Sequence, residues 1–509
     1  MNNIIVSPHH LSTDIASQIY HKGGNAVDAA IATNLIQGIV APETCGIGGD
    51  LFALVWDPSK NEPDFLDASG YAGSFANPDD LQNMESIPLN HPISVTVPGA
   101  VAGWIELSKK YGNLKIEEIL NLGIELCHEG FEINEELYNS LTLHKEELSG
   151  QASGYGFYRD NQPFETGKMI RRPQLGKTLE LLKRNGLEYF YDSDITKSIS
   201  SSVNGILSYD DLKNFKAEWK KPLHSKIYGF DGWTSPPSTQ GYLTLSTLKA
   251  IEMLGAEHDD LHRVIETYRI FAADRDNITY DYGKNIKDFK GVDLDYIQEK
   301  IKLFNPNHSE KFDFPKPRGG GTAYMNTVDK NGLGVSLIQS NFHGIGSRIG
   351  VGSFGFFLHN RGCGFNLDSG HPNYLTPGRK PLHTLSPTIW SKNGNLEFIA
   401  GTRGGRYQPQ LLIQTILPYI QKSDSFEEII KEPRWVIENF SNDTLSKLRF
   451  EKINNEDLKI LLQKGHEVEV ENKFNKAYGP ISIIYKKNDG NFEGVCDVRV
   501  GTEKVFNSF

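Results

Sequence analysis

The chain has 509 residues, 38% of them hydrophobic and 23% charged, which is enough apolar material for a large buried core. Its 53 Lys and Arg stand against 64 Asp and Glu, a net charge of -11 that argues against a polyanion such as nucleic acid as the main partner. No uninterrupted apolar run approaches the roughly 18 residues that a membrane span needs.

The opening residues, Met1-Asn2-Asn3-Ile4-Ile5-Val6-Ser7-Pro8, carry neither a basic n-region nor an apolar h-region, so a cytoplasmic protein is expected. Helices are predicted from Ser12 to Lys22 and from Asn25 to about Val40. The Gly23-Gly24 pair closes the first, and Asn25, with Asp28 three residues on, caps the second. Segment 242–254 reads as another helix. From Asp259 to Asp276, the apolar residues Leu261, Val264, Ile265, Tyr268, Phe271 and Ala272 keep the i, i+3, i+4, i+7 rhythm of an amphipathic helix. Cys45, Cys127, Cys363 and Cys496 are scattered without CxxC spacing and read as free thiols.

The most informative run begins at Gly319-Gly320-Gly321-Thr322. Before it, Phe314-Pro315-Lys316-Pro317-Arg318 is proline-rich and is expected to form an exposed arm. After it, Thr322 to Val328 reads as a strand, Asp329-Lys330-Asn331-Gly332 as a turn, and Leu333 to Ser340 as a second strand. Glycine tolerates backbone geometry closed to other residues, so the Thr322 hydroxyl can be held against the Gly321 carbonyl. An N-to-O acyl shift and hydrolysis would then leave Thr322 as a new N-terminus. Its α-amine, which ordinarily titrates at about 7.7 to 8.0, can serve as general base to its own hydroxyl. Spacing alone favours a glycine-rich loop that enters a hairpin and does nothing more.

Further runs keep company with that segment. They are Gly23-Gly24-Asn25-Ala26-Val27-Asp28, Pro42-Glu43-Thr44-Cys45-Gly46-Ile47-Gly48-Gly49-Asp50, Val97-Pro98-Gly99-Ala100, Pro236-Pro237-Ser238-Thr239-Gln240-Gly241 and Phe271-Ala272-Ala273-Asp274-Arg275-Asp276. Pro381-Leu382-His383-Thr384 and Gly401-Thr402-Arg403-Gly404-Gly405 follow. In this order the chain resembles the γ-glutamyltransferase family, the glutathione hydrolases and related acylases with an N-terminal threonine. The resemblance implies an α+β fold, the four-layer αββα sandwich of the N-terminal nucleophile hydrolases. It also implies two segments, 1–321 and 322–509, that stay associated as one folded unit after cleavage.

The same resemblance assigns the site. Thr322 is the nucleophile, Gly404 and Gly405 offer backbone N–H groups to an oxyanion, and Ser340 falls where the family places a hydroxyl that hydrogen-bonds the nucleophile. Read without it, the paired glycines are a tight turn and Ser340 a strand-end serine. The substrate side departs from the family. Ser69 stands where an arginine would hold the glutamyl α-carboxylate, and Gly364 where an acidic residue would bind the α-amine. His383 and Thr384 replace paired serines. Each lost partner would cost a few kcal/mol if the opposing charge were buried alone, so poor glutathione turnover is expected. Arg361, in the site segment, is a candidate replacement anchor for a substrate carboxylate, with a surface or supporting arginine as the alternative. The sequence is closer to the γ-glutamyltransferase-like and cephalosporin-type acylase branch.

Other chemistry is weakly supported. Gly344-Ile345-Gly346-Ser347-Arg348-Ile349-Gly350 is not GxGxxG, His9-His10 lacks HExxH spacing, and no GxSxG elbow occurs. No cofactor and no metal are called for. The expected partner is a small γ-glutamyl or other acyl amide, with neither nucleic acid nor membrane involved, and a homo-oligomer is compatible with the sequence. Three functions remain: an N-terminal threonine amidohydrolase, a true glutathione hydrolase or transpeptidase, and an uncleaved relative that binds or assembles.

Overall fold

A computed structural model describes residues 1–312, 321–422, 424–438 and 447–508. The proline-rich arm and the first two glycines of the triglycine lie outside them. Two antiparallel sheets dominate the architecture. The first runs, in spatial order, Lys504–Ser508, Asn3–Ser7, Gly321–Val328, Gly334–Phe342, Asp50–Trp56, Asp64–Ala68 and Glu218–Lys220. The second runs Phe492–Val495, Ile481–Lys486, Asn395–Thr402, Thr388–Lys392, Phe230–Thr234 and Leu223–Ile227. Both sheets draw strands from either side of the Gly321–Thr322 bond.

Period-two alternation sends each strand's side chains to two different cores. In Asp50–Trp56, Phe52, Leu54 and Trp56 enter the space between the sheets, whereas Leu51, Ala53 and Val55 face the helices outside. Tyr324 and Ile338 point inward while Ala323, Met325 and Leu337 point outward. On the opposite sheet Ile389 and Ile399 look inward, and Trp390, Phe398 and Ala400 meet the helices Tyr242–Leu254 and Gln408–Ile420. Helix, sheet, sheet and helix therefore stack as four layers, as expected. The sheets are also stitched by hydrogen bonds, because Asn326 Nδ2 donates to Ile399 O at 3.3 Å and to Ser482 O at 3.1 Å.

The helices and strands read from the sequence lie within a few residues of where they were expected. Helices run His10–His21, Ala26–Val40 and Tyr242–Leu254. Asn25 accepts from the backbone N–H of Val27 and Asp28 while Asp28 answers the Asn25 N–H, a complete capping box. The single helix expected over 259–276 is broken at Asp274 into Leu261–Ala273 and Arg275–Ile278. The second strand of the hairpin starts and ends later than expected, at Gly334 and Phe342. Among the described residues no helix is long and apolar enough to cross a membrane.

Candidate active site

Thr322 is the first ladder residue after a register shift at Gly321/Thr322, and it lies directly opposite Ser340. Both are buried. Thr322 Oγ1 is 3.2 Å from Ser340 Oγ. Ser340 Oγ accepts from Phe342 N at 2.8 Å and donates to Gly321 O at 2.5 Å. With its own proton directed at that carbonyl, Ser340 is left to accept the Thr322 hydroxyl hydrogen. The nucleophile candidate and the carbonyl it would attack are thus joined through one serine.

The neighbouring strand brings a buried charge. Asp50 pairs with Ser340 across the ladder on its other side. Its carboxylate meets Arg361 Nε at 2.7 Å, His383 Nε2 at 3.3 Å and His359 Nδ1 at 3.4 Å, all fully buried. Burial alone would raise the Asp50 carboxyl, but Arg361, His383 and His359 together hold it well below the usual range. Burial, then the adjacent Arg361 charge, pushes the His383 ring well below its ordinary value, so it stays neutral. Arg361 stacks on Phe342 at 4.2 Å. Its Nη1 has no hydrogen-bond partner.

Gly404 and Gly405 follow the Asn395–Thr402 strand with φ of +118° and +55°, the left-handed region that favours glycine. That strand lies against the hairpin, since a Cβ at Gly401 would fall 2.1 Å from the Tyr324 ring. The turn is held from outside by Arg403, which makes paired bonds to Glu136 at 2.9 and 2.8 Å and a third to Gly479 O at 2.8 Å. From within, Gln240 Nε2 donates to Gly405 O at 2.8 Å and to Thr384 O at 3.0 Å, while its Oε1 accepts from Arg275 Nε at 2.9 Å.

Beside the hairpin opens a cavity of about 160 Å³, lined among others by Phe342, Gly364, Thr384, Arg275, Asp276 and Arg406. Asp276 pairs with Arg275 at 2.6 Å and Arg406 at 3.5 Å. A Cβ on Gly364 would lie 2.5 Å from Leu382 O, so no acidic side chain fits there without a backbone shift. Ser69 is turned to Asp67, through its hydroxyl at 2.6 Å and its N–H at 3.0 Å. Of the sequence candidates, Thr322 and Ser340 meet directly and Thr384 reaches the cavity. Arg361 and His383 sit behind, on Asp50. Sequence reasoning passed over Asp50, Gln240 and Arg403, although each lies inside a run that stood out; only their partners were invisible.

The fold and this hairpin define an N-terminal nucleophile hydrolase. The sequence profile of the gamma-glutamyltranspeptidase family matches residues 12–506, and the chain belongs to that family of enzymes. It is 29% identical to the glutathione hydrolase-like YwrD proenzyme of Bacillus subtilis (strain 168), over 97% of each chain. It is 30% identical to the oxamate amidohydrolase proenzyme of Klebsiella pneumoniae, over 98% of this chain and 97% of that one. A solved cephalosporin acylase from Bacillus halodurans superposes with a TM-score of 0.89 at 26% identity, covering 99% of this chain and 95% of the other.

Proposed function

We propose that the chain cleaves itself between Gly321 and Thr322 and then hydrolyses, or transfers to an amine, a γ-glutamyl or related acyl group through a threonyl ester. The observation that carries this reading is the Thr322 Oγ1, Ser340 Oγ and Gly321 O chain of contacts. In the first step the hydroxyl oxygen bonds to the Gly321 carbonyl carbon, the C–N bond breaks, and the hydroxyl proton ends on the nitrogen. Water then hydrolyses the ester and frees both termini. In turnover the new α-amine takes the Thr322 hydroxyl proton and returns it to the departing amine. In this reading the Gly404 and Gly405 N–H groups are the oxyanion donors, each of a kind worth about 2.7 to 4 kcal/mol.

On the substrate side, the blocked position at Gly364 favours acyl groups without an α-ammonium, and Ser69, turned to Asp67, offers no guanidinium to an α-carboxylate. Oxamate, in the name of the Klebsiella relative, is an amide beside a carboxylate with no ammonium group, which supports the same direction. Thr384, Arg275 and Arg406 line the cavity that would receive the acyl part.

Denaturing electrophoresis tests cleavage. The parent should give two fragments, the smaller beginning at Thr322, and a Thr322→Ala chain should stay whole. An intact and inactive chain would return the protein to the binding or assembly reading, and an active preparation with the bond intact would require another mechanism. Turnover of γ-glutamyl-p-nitroanilide beside amine-free acyl amides tests specificity, and strong γ-glutamyl preference would overturn the substrate direction.

A further inference from the structure

One buried acid beside the hairpin has no part in the steps above. Glu43 sits in the loop between the Ala26–Val40 helix and the Asp50–Trp56 strand. That loop is tied to the end of the hairpin, because Asn341 donates from its backbone N to Thr44 O at 3.1 Å and from Nδ2 to Pro42 O at 2.9 Å. It therefore lies against the bond to be cut: a Cβ on Gly321 would meet the Glu43 carbonyl oxygen at 2.6 Å. Glu43 is only 8% exposed, and its Oε2 has no hydrogen-bond partner. A carboxyl with one oxygen unpartnered in so closed a place is costly to ionise.

We propose that the Glu43 carboxyl is the acid of chain maturation, giving a proton to the Thr322 nitrogen as the Gly321–Thr322 bond breaks. The inference rests on the self-cleavage reading and adds one residue to it. As the Oγ–C bond forms and the C–N bond breaks, the nitrogen takes the Glu43 proton. The carboxylate then recovers the proton released by the Thr322 hydroxyl, so Glu43 ends unchanged and the products are an ester and a neutral amine. Charged groups around it are Glu136, Arg403 and Arg172, with the Cys45 thiol nearby in the loop and the His144 ring facing Gly344. Burial, with a smaller push from Glu136, raises the carboxyl to about 8 against its own backbone amide, Arg403 and Arg172. It therefore holds its proton at neutral pH, as an acid for this step must.

The test follows maturation of freshly synthesised parent, Glu43→Gln, Glu43→Asp and Thr322→Ala chains by denaturing electrophoresis from about pH 6 to 10. The parent rate should fall as pH rises through about 8. Glu43→Gln should mature about a hundredfold more slowly and lose that limb, while Glu43→Asp recovers part of the rate and keeps the limb. A Gln chain that matures at the parental rate, or a parent rate that does not fall above about 8, overturns the proposal and leaves self-cleavage standing. A parent that never cleaves overturns both. The parental limb needs no variant, so it decides even if Glu43→Gln fails to fold.

Discussion

Ser340 Oγ lies between two atoms of one peptide unit's chemistry, 3.2 Å from the Thr322 hydroxyl and 2.5 Å from the Gly321 carbonyl oxygen. Because Phe342 N fills one of its acceptor positions, the serine proton is directed to the carbonyl that would become an oxyanion in the proposed attack. Replacing Ser340 with Ala removes that donor. Cleavage should slow by about a hundredfold or more, the scale of one oxyanion donor, and Ser340→Thr should recover most of it. Fragment appearance on denaturing gels measures the rate, and an Ala chain that cleaves normally would remove Ser340 from the mechanism.

Gln240 binds two carbonyls that belong to different parts of the site, Gly405 O and Thr384 O, and accepts from Arg275. In Gln240→Leu those three groups lose a buried partner, each loss costing about 1 to 3 kcal/mol. Thermal stability should drop. In mature enzyme kcat should fall by about tenfold or more with a smaller change in KM, because the turn carrying the proposed oxyanion donors loosens. A fall confined to KM would place Gln240 in substrate binding instead.

Asp50 and Arg361 form a buried pair, so removing one partner strands the other. Asp50→Asn should destabilise the protein by about 3 to 5 kcal/mol at neutral pH. The sign with pH follows from the depressed Asp50 carboxyl. Its stabilisation is complete above the unfolded value of about 3.9 and is lost as pH falls toward the folded value. Urea midpoints of parent and variant should therefore converge in acid. A constant gap from neutral pH downward would show that Asp50 is not the ionised centre of the cluster.

Arg361 bonds Asp50 through Nε and is fully buried. Arg361→Ala should consequently depress turnover of acidic and neutral acyl amides by the same factor, since what is lost is support for the wall behind Ser340. A loss selective for acidic substrates would restore the direct anchor read from the sequence and would assign the unpartnered Nη1 to the substrate.

Sequence alone determined what depends on neighbours along the chain. The alternating Thr322–Val328 strand, its Asp329-Lys330-Asn331-Gly332 turn and the Asn25 capping box are short-range patterns, and all three formed near where they were expected. The ordered motifs also pointed to the family and to its sandwich. Only the tertiary structure decided what Asp50, His359, Arg361 and His383 do, because a buried charge's role is set by the partners that surround it, and those partners lie as much as 333 residues apart along the chain. Arg361 read by itself is a cation free to meet a substrate; folded, it neutralises a carboxylate beneath Ser340. The same holds for Gln240 and Glu43, whose surroundings exist only after two distant halves of the chain have been laid into common sheets.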